Sequence, residues 1–292
     1  MSSASKLVAL TALAFLTAAY AAAATLRVCA DPNNMPFSNR AEQGFENQLA
    51  NLIAKDLGMT VQYYWFPQRS SFFKKTLNAG HCDIVMGLPS GMDDADTSIP
   101  YYRSSYVFVS RRDRRLNIKS MDDPRLHHLR IGVHTIGDGD GSLPPVNALI
   151  SRGIVRNLVD FNIYGRLDEK NPPADLIRAV ESNKVDIAIA WGPMAGYFAK
   201  HSSVPLQVTP VDVVSPDPKI PFTFAISMGV RRGDSQLLQR LNSEIQQHRP
   251  RIHRLLESYG VPLLAAPPSA AAIAIPERSQ LLRNCCKRGT DL

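Results

Sequence analysis

A chain of 292 residues, 45% apolar and 20% charged, is long enough for two domains with sizeable cores, and that balance excludes disordered and fibrous proteins. Its net charge of +7 falls on scattered arginine pairs (Arg111–Arg112, Arg114–Arg115, Arg231–Arg232) with no interleaved aromatics. That pattern argues against nucleic acid and for an acidic partner or anionic ligand reached by long-range steering.

The N-terminus reads as a secretory signal: Lys6, an apolar run from Leu7 to Tyr20, then Ala22-Ala23-Ala24 as an A-x-A cleavage pattern. Cleavage is expected after Ala24, with no cysteine placed for a lipid anchor. Lys6 is the only charged residue of the signal, so its removal leaves a net charge of +6. No later stretch is apolar and long enough to span a bilayer. The mature protein is expected to be soluble and periplasmic, in an oxidising compartment.

Leu26–Ala30 is the first strand, and the loop from Asp31 to Phe37 follows, held out of helix by two prolines and two asparagines. Phe45, Leu49, Leu52, Ile53 and Leu57 recur at helical spacing, and Gly58 closes that helix. Val61–Phe66 is aromatic and β-branched, hence a strand. Phe72, Phe73, Thr76 and Leu77 form the next helix, ending near Gly80 as its C′ residue.

The segment Gly80–Gly91 (GHCDIVMGLPSG) organises the chain. Ile84, Val85 and Met86 form a strand covered on both faces, broken by Gly87, Leu88 and Pro89. In an open parallel sheet, ligands sit beyond the carboxyl ends of the strands, so this loop lines a cleft. LIRAVESNKVDIAIAWG, from Leu176 to Gly192, repeats the pattern of helix, polar turn, Asp-Ile, apolar strand and glycine. The repeat predicts two similar α/β lobes.

Tyr106–Arg111 is expected to hinge out of the first lobe. Arg130–Val133 opens the second as its first strand, and a helix begins near Pro144-Pro145, where missing N–H groups do no harm. Leu158–Phe161 and Val185–Ala190 are strands, with a helix begun by Pro172-Pro173 between them. Phe222–Met228 is the return hinge. Ser235–His248 and Arg251–Tyr259 are two amphipathic helices that pack back on the first lobe. The expected division is a signal at 1–24, lobe one at 25–108, lobe two at 109–221, the return hinge and C-terminal helices at 222–264, and a tail at 265–292.

Cys29 ends the first strand and Cys82 begins the central one. If these strands are neighbours, a disulfide is geometrically feasible, with two buried thiols as the alternative. Cys285 and Cys286 receive no role, and none of the four has metal-site spacing.

The order strand, D-x-x-x-x-P-F loop, G-F-acidic helix, L-x-x-G-x-x-D strand, P-Y-Y approach and hinge strand resembles the type II periplasmic binding fold. That fold has two lobes, each a mostly parallel sheet flanked by helices, joined by two hinge strands. The strings VCADPNNMPFSN, GFENQLANLIAKDLG, TLNAGHCDIVMGLPSG, PYYRSSYVFV and VDIAIAWGPMAGYFA resemble the methanol-oxidation J proteins, MxaJ and XoxJ. TLNAGHCDIVMGLPSG and the VCADPNN opening look more like the XoxJ form, which accompanies a lanthanide-dependent enzyme. The resemblance implies a non-enzymatic periplasmic accessory protein without a cofactor. The implied partner is a PQQ-dependent methanol dehydrogenase, with its cytochrome c as a second candidate.

Amino acid binders of this fold hold the ligand carboxylate with an arginine at the place of Asp94, and its ammonium with an aspartate at the place of Trp191. Their stacking aromatic is replaced near Asn34. A zwitterion would therefore lose charge-assisted bonds worth about 1.5–3 kcal/mol each. The expected lobe-one wall is Asn33, Asn34, Phe37, Gly87, Leu88, Pro89 and Tyr102. The expected lobe-two wall is His134, Ile136, Gly137, Trp191 and Tyr197. Trp191 is equally at home as an edge-of-core residue, and His134 has no carboxylate partner in sequence. Asp138 and Asp140 mimic a calcium loop that lacks its twelfth-position glutamate, so no metal is expected. No G-x-S-x-G, H-E-x-x-H or Cys/His pairing occurs. A lyase would need a buried acid of raised pKa in the cleft. Glu46 and Glu181 fall on helices instead of strand ends, which argues against both. A transporter subunit for a small non-amino-acid solute and a periplasmic lyase remain the alternative functions.

Overall fold

The computed structural model describes residues 24–69, 71–135, 143–163, 171–212 and 221–265. In chain order, β1 (Ala24–Ala30) leads through the short strands β2 (Asn33–Asn34) and β3 (Ser38–Asn39) to α1 (Phe45–Asp56), then β4 (Met59–Trp65) and α2 (Phe72–Lys75). Next come β5 (Ile84–Pro89), β6 (Asp96–Thr97) and the long β7 (Tyr102–Arg111). The second half holds β8 (Ile131–Thr135), α3 (Pro144–Ile150), β9 (Leu158–Asn162), α4 (Asp175–Glu181), β10 (Ile187–Trp191), α5 (Gly192–Lys200) and β11 (Leu206–Pro210). The return passes through β12 (Thr223–Val230) to α6 (Ser235–Ser258).

Strands follow the order β4-β1-β5-β12-β7-β10-β8-β9, with β4-β1-β5 and β10-β8-β9 parallel. The two parallel halves meet along the antiparallel pair β12–β7. β7 crosses between lobes at a definite point: Tyr102 to Ser105 pair with β12, and Tyr106 to Ser110 pair with β10. Continuous backbone pairing leaves few loose residues where β7 changes partner.

Alternation along β5 explains its unbroken apolar run. Ile84 and Met86 face the cluster built by α1 and α6, with Phe45, Leu49, Ile53, Leu241 and Ile245. Val85 faces the opposite cluster, with Phe72, Leu77 and both cysteines, and Leu88 joins it because a bulge in the pairing with β12 shifts the alternation by one residue. Cys29 and Cys82 are bonded there, at a Cα separation of 5.5 Å.

The internal repeat reaches down to a single ion pair. Arg27 at the start of lobe one binds Asp83 through its backbone N–H and its guanidinium, and Arg130 at the start of lobe two binds Asp186 in the same way. The two pairs share a sequence separation of 56 residues. In each lobe the aspartate before the central strand thus ties that strand to the first.

The C-terminal element departs from expectation. Instead of two helices, α6 is one helix of 24 residues running through Pro250. Proline removes one N–H and crowds the preceding turn. Leu241, Ile245, Ile252 and Leu256 nevertheless lie buried on one face on both sides of it, and that shared packing keeps the axis continuous. α2 is shorter than its pattern suggests, stopping at Lys75, and turns carry the chain to Gly80 at φ 77°.

Candidate ligand cleft

Between the lobes lies a cleft of about 350 Å³. Lobe one contributes Asn34, Phe37, Gly87, Leu88, Pro89 and Tyr102, all named from the sequence. From lobe two come His134 and Trp191, also named in advance. The hinge strands add Tyr106, Phe224 and Ile226, and the loop after β4 adds Gln68. Periodicity marked the hinge residues as strand but could not say which faces the interlobe space.

Two expected residues lie elsewhere. Asn33 is at the rim, where its Oδ1 accepts from the Asn171 backbone N–H at 3.1 Å and so bridges the lobes. Tyr197 does not line the cleft; it sits on α5 and stacks on Tyr259 at 5.8 Å. Helical periodicity turns it away, toward the C-terminal end of α6. Ile136 and Gly137, like the Asp138–Asp140 loop, the signal segment, Cys285 and Cys286, lie outside the described residues. Asp94 is solvent-exposed and does not line the cleft, so the acidic loop does not reach the ligand space.

The loop before α1 is fixed by Asp31. Its carboxylate accepts from the backbone N–H groups of Asn33 (2.8 Å) and Gln68 (2.7 Å), and Asn34 reaches Gln68 at 3.1 Å. These bonds hold Asn34 against the cleft. Asn47 Oδ1 accepts from the Gly44 N–H at 3.1 Å and sets the first turn of α1.

Glu46, in that first turn, projects into the cleft, contrary to the expectation that a helical position would keep it out. A helix that follows a parallel strand begins beside the carboxyl end of that strand, so its first turn borders the crevice. The G-F-acidic motif just after the loop was the available signal. Burial pushes the Glu46 carboxyl up to about 8. Among the described residues, no hydrogen bond or ion pair reaches it. Gly87 makes its place: a Cβ there would collide with Glu46 Oε1 and stand 3.1 Å from its Cδ.

His134 is 3% exposed, with Nε2 at 3.3 Å from the Pro173 carbonyl, and burial lowers its pKa to about 4. It is therefore neutral at neutral pH. Trp191 is half-buried at the end of β10, wedged against Tyr106 (5.5 Å) and Phe224 (5.7 Å). Its indole N–H approaches the Tyr102 phenol, which burial keeps protonated. No lysine or arginine lines the described cleft. On the outer face of lobe one, Asp56, Glu244 and His248 bring ligand atoms within 4.8 Å, but His248 already pairs with both acids.

Two lobes, two paired crossing strands and an interlobe cleft define a periplasmic-type binding protein. The family model of bacterial extracellular solute-binding proteins, family 3, matches residues 26–261, and the chain belongs to that family. Within it the chain is an MxaJ/XoxJ-like protein. It is 34% identical over 254 residues to protein MoxJ of Methylorubrum extorquens AM1, covering 83% of this chain and 82% of that one. The crystal structure of the periplasmic binding protein XoxJ from Methylobacterium extorquens AM1 is 36% identical with a TM-score of 0.68. MxaJ from Methlophaga aminisulfidivorans MPT is 28% identical with a TM-score of 0.69. Each of these structures covers 82% of this chain and 100% of its own.

Proposed function

We propose that this chain is an exported, non-enzymatic accessory protein that engages a PQQ-dependent methanol dehydrogenase, of the lanthanide-dependent type, and assists its maturation or activation. The relatives named MoxJ, MxaJ and XoxJ support the link to methanol oxidation. The observation that carries the reading away from amino acid transport is Trp191, standing in an apolar cleft where the binders keep an aspartate. With no cation among the described lining residues to take a carboxylate, such a cleft is a poor trap for a zwitterion. A mature charge of +6 steers the chain toward an acidic partner.

A periplasmic lyase is the second reading, and Glu46 is the observation that favours it, as an acid with a pKa matched to neutral pH. Against it stands the want of a base among the described residues: His134 is held on a carbonyl and buried. The test is a pull-down from periplasmic extract in gentle, low-salt buffer, with bound proteins identified by mass spectrometry. Recovery of the dehydrogenase, alone or with its cytochrome c, supports the accessory role. Its absence from the eluate overturns that role.

A further inference from the structure

We propose that the cleft binds a small organic monocation of the alkylammonium class, with Glu46 as counter-ion and aromatic side chains as walls. Glu46 is a carboxyl group aimed into a cavity, without a protein partner among the described residues, in space that Gly87 alone leaves open. Glu46 is half-buried, and a carboxyl that borders a cavity without a protein partner leaves its charge to be met by water or by a ligand group. Phe37, Tyr102, Tyr106, Trp191 and Phe224 supply aromatic surface around it. Ring faces attract ammonium groups most strongly where water is excluded. Among the described residues no fixed positive charge lines the cleft, so they offer no ion pair to an anion or to the carboxylate of a zwitterion. The volume of about 350 Å³ lies at the small end of ligand sites, the size for one compact solute.

Binding a cation must ionise Glu46, so affinity is coupled to pH. The titratable groups facing it are Tyr63 from β4, Tyr101 just before β7, Tyr102 and Tyr106 on β7, and His134 across the cleft. Burial raises the four phenols and lowers the imidazole to about 4, so all five stay neutral between pH 6 and 8. Glu46, at about 8, is the group that changes charge in that window.

The experiment is calorimetry on the exported chain with choline and with its uncharged isostere 3,3-dimethylbutan-1-ol. The expected result is choline binding about tenfold or more tighter than the isostere, and strengthening at least about tenfold from pH 6 to pH 8 as Glu46 ionises. Glu46→Gln should bind choline about tenfold more weakly, with a flat pH profile and an unchanged melting temperature. If that variant does not fold, the wild-type comparison of choline against the isostere across pH decides alone. No choline binding at about 10 mM, equal binding of the isostere, or an unaltered pH profile in folded Glu46→Gln would each overturn the proposal. None of these outcomes bears on capture of the dehydrogenase, so the two readings fail separately.

Discussion

Trp191 joins the end of β10 to both hinge strands, which makes Trp191→Ala the perturbation with the widest reach. In β10 it stands opposite Tyr106 of β7, and its ring also meets Phe224 of β12. Truncating a fully buried tryptophan costs about 3–5 kcal/mol. Trp191 is half-buried, with part of its ring facing the cleft, so the lower end applies. Two edge-to-face aromatic contacts, each worth about 0.5–1.5 kcal/mol, make up part of that cost. The expected destabilisation is about 2–4 kcal/mol, read as a shift in urea midpoint at constant slope. Trp191→Phe keeps the edge-to-face geometry and should lose about half as much. A chain of this size has about 5–15 kcal/mol in hand, so the variant stays folded. We further propose that the dehydrogenase docks into the cleft with Trp191 as an aromatic anchor, so its binding should weaken by about 2 kcal/mol or more. A loss of stability below about 1 kcal/mol would refute the hinge-packing argument, and undiminished partner binding would refute the docking argument.

Mass spectrometry of non-reduced exported protein should find no alkylatable thiol at Cys29 or Cys82, and replacing both with serine should cost about 4 kcal/mol for a crosslink spanning 53 residues. The Arg130 guanidinium holds Asp186 below the ordinary carboxylate range, so its folded pKa lies under its unfolded value. That stabilisation is present above about pH 4 and is lost as pH falls through the folded pKa. Urea midpoints at pH 7 and pH 3 should therefore differ less in Asp186→Asn than in wild type. Calorimetry with the standard amino acids should show nothing tighter than about 0.1 mM, and one micromolar ligand would restore amino acid transport.

The repeat built on Asp83 and Asp186 was legible because glycine, aspartate and an apolar run mark a strand end whatever surrounds them. The pairing of these aspartates with Arg27 and Arg130 was not, since a separation of 56 residues carries no local periodicity. Strand-end residues such as Gly87 and Trp191 were placed in the cleft from sequence because parallel sheets put ligands there. Glu46 was missed because a helical pattern sorts residues into core and solvent faces, and has no third class for a first turn at a crevice. Tyr197 was misplaced for the converse reason: one turn and a half into α5, the helix had already rotated it toward α6. The continuity of α6 through Pro250 came from buried contacts on either side of the proline, which local propensity does not weigh.

The central claim is association with the dehydrogenase, and titrating purified quinoprotein methanol dehydrogenase with the mature chain tests it most directly. Surface-based binding kinetics would follow the complex, with alcohol oxidation measured on the same mixtures. The expected result is a saturable complex whose association rate falls as salt rises, by steering from a basic surface, together with a rise in dehydrogenase activity or in its recovery from the apo form. No complex at micromolar concentrations in low salt, with the dehydrogenase equally active in its absence, would contradict it.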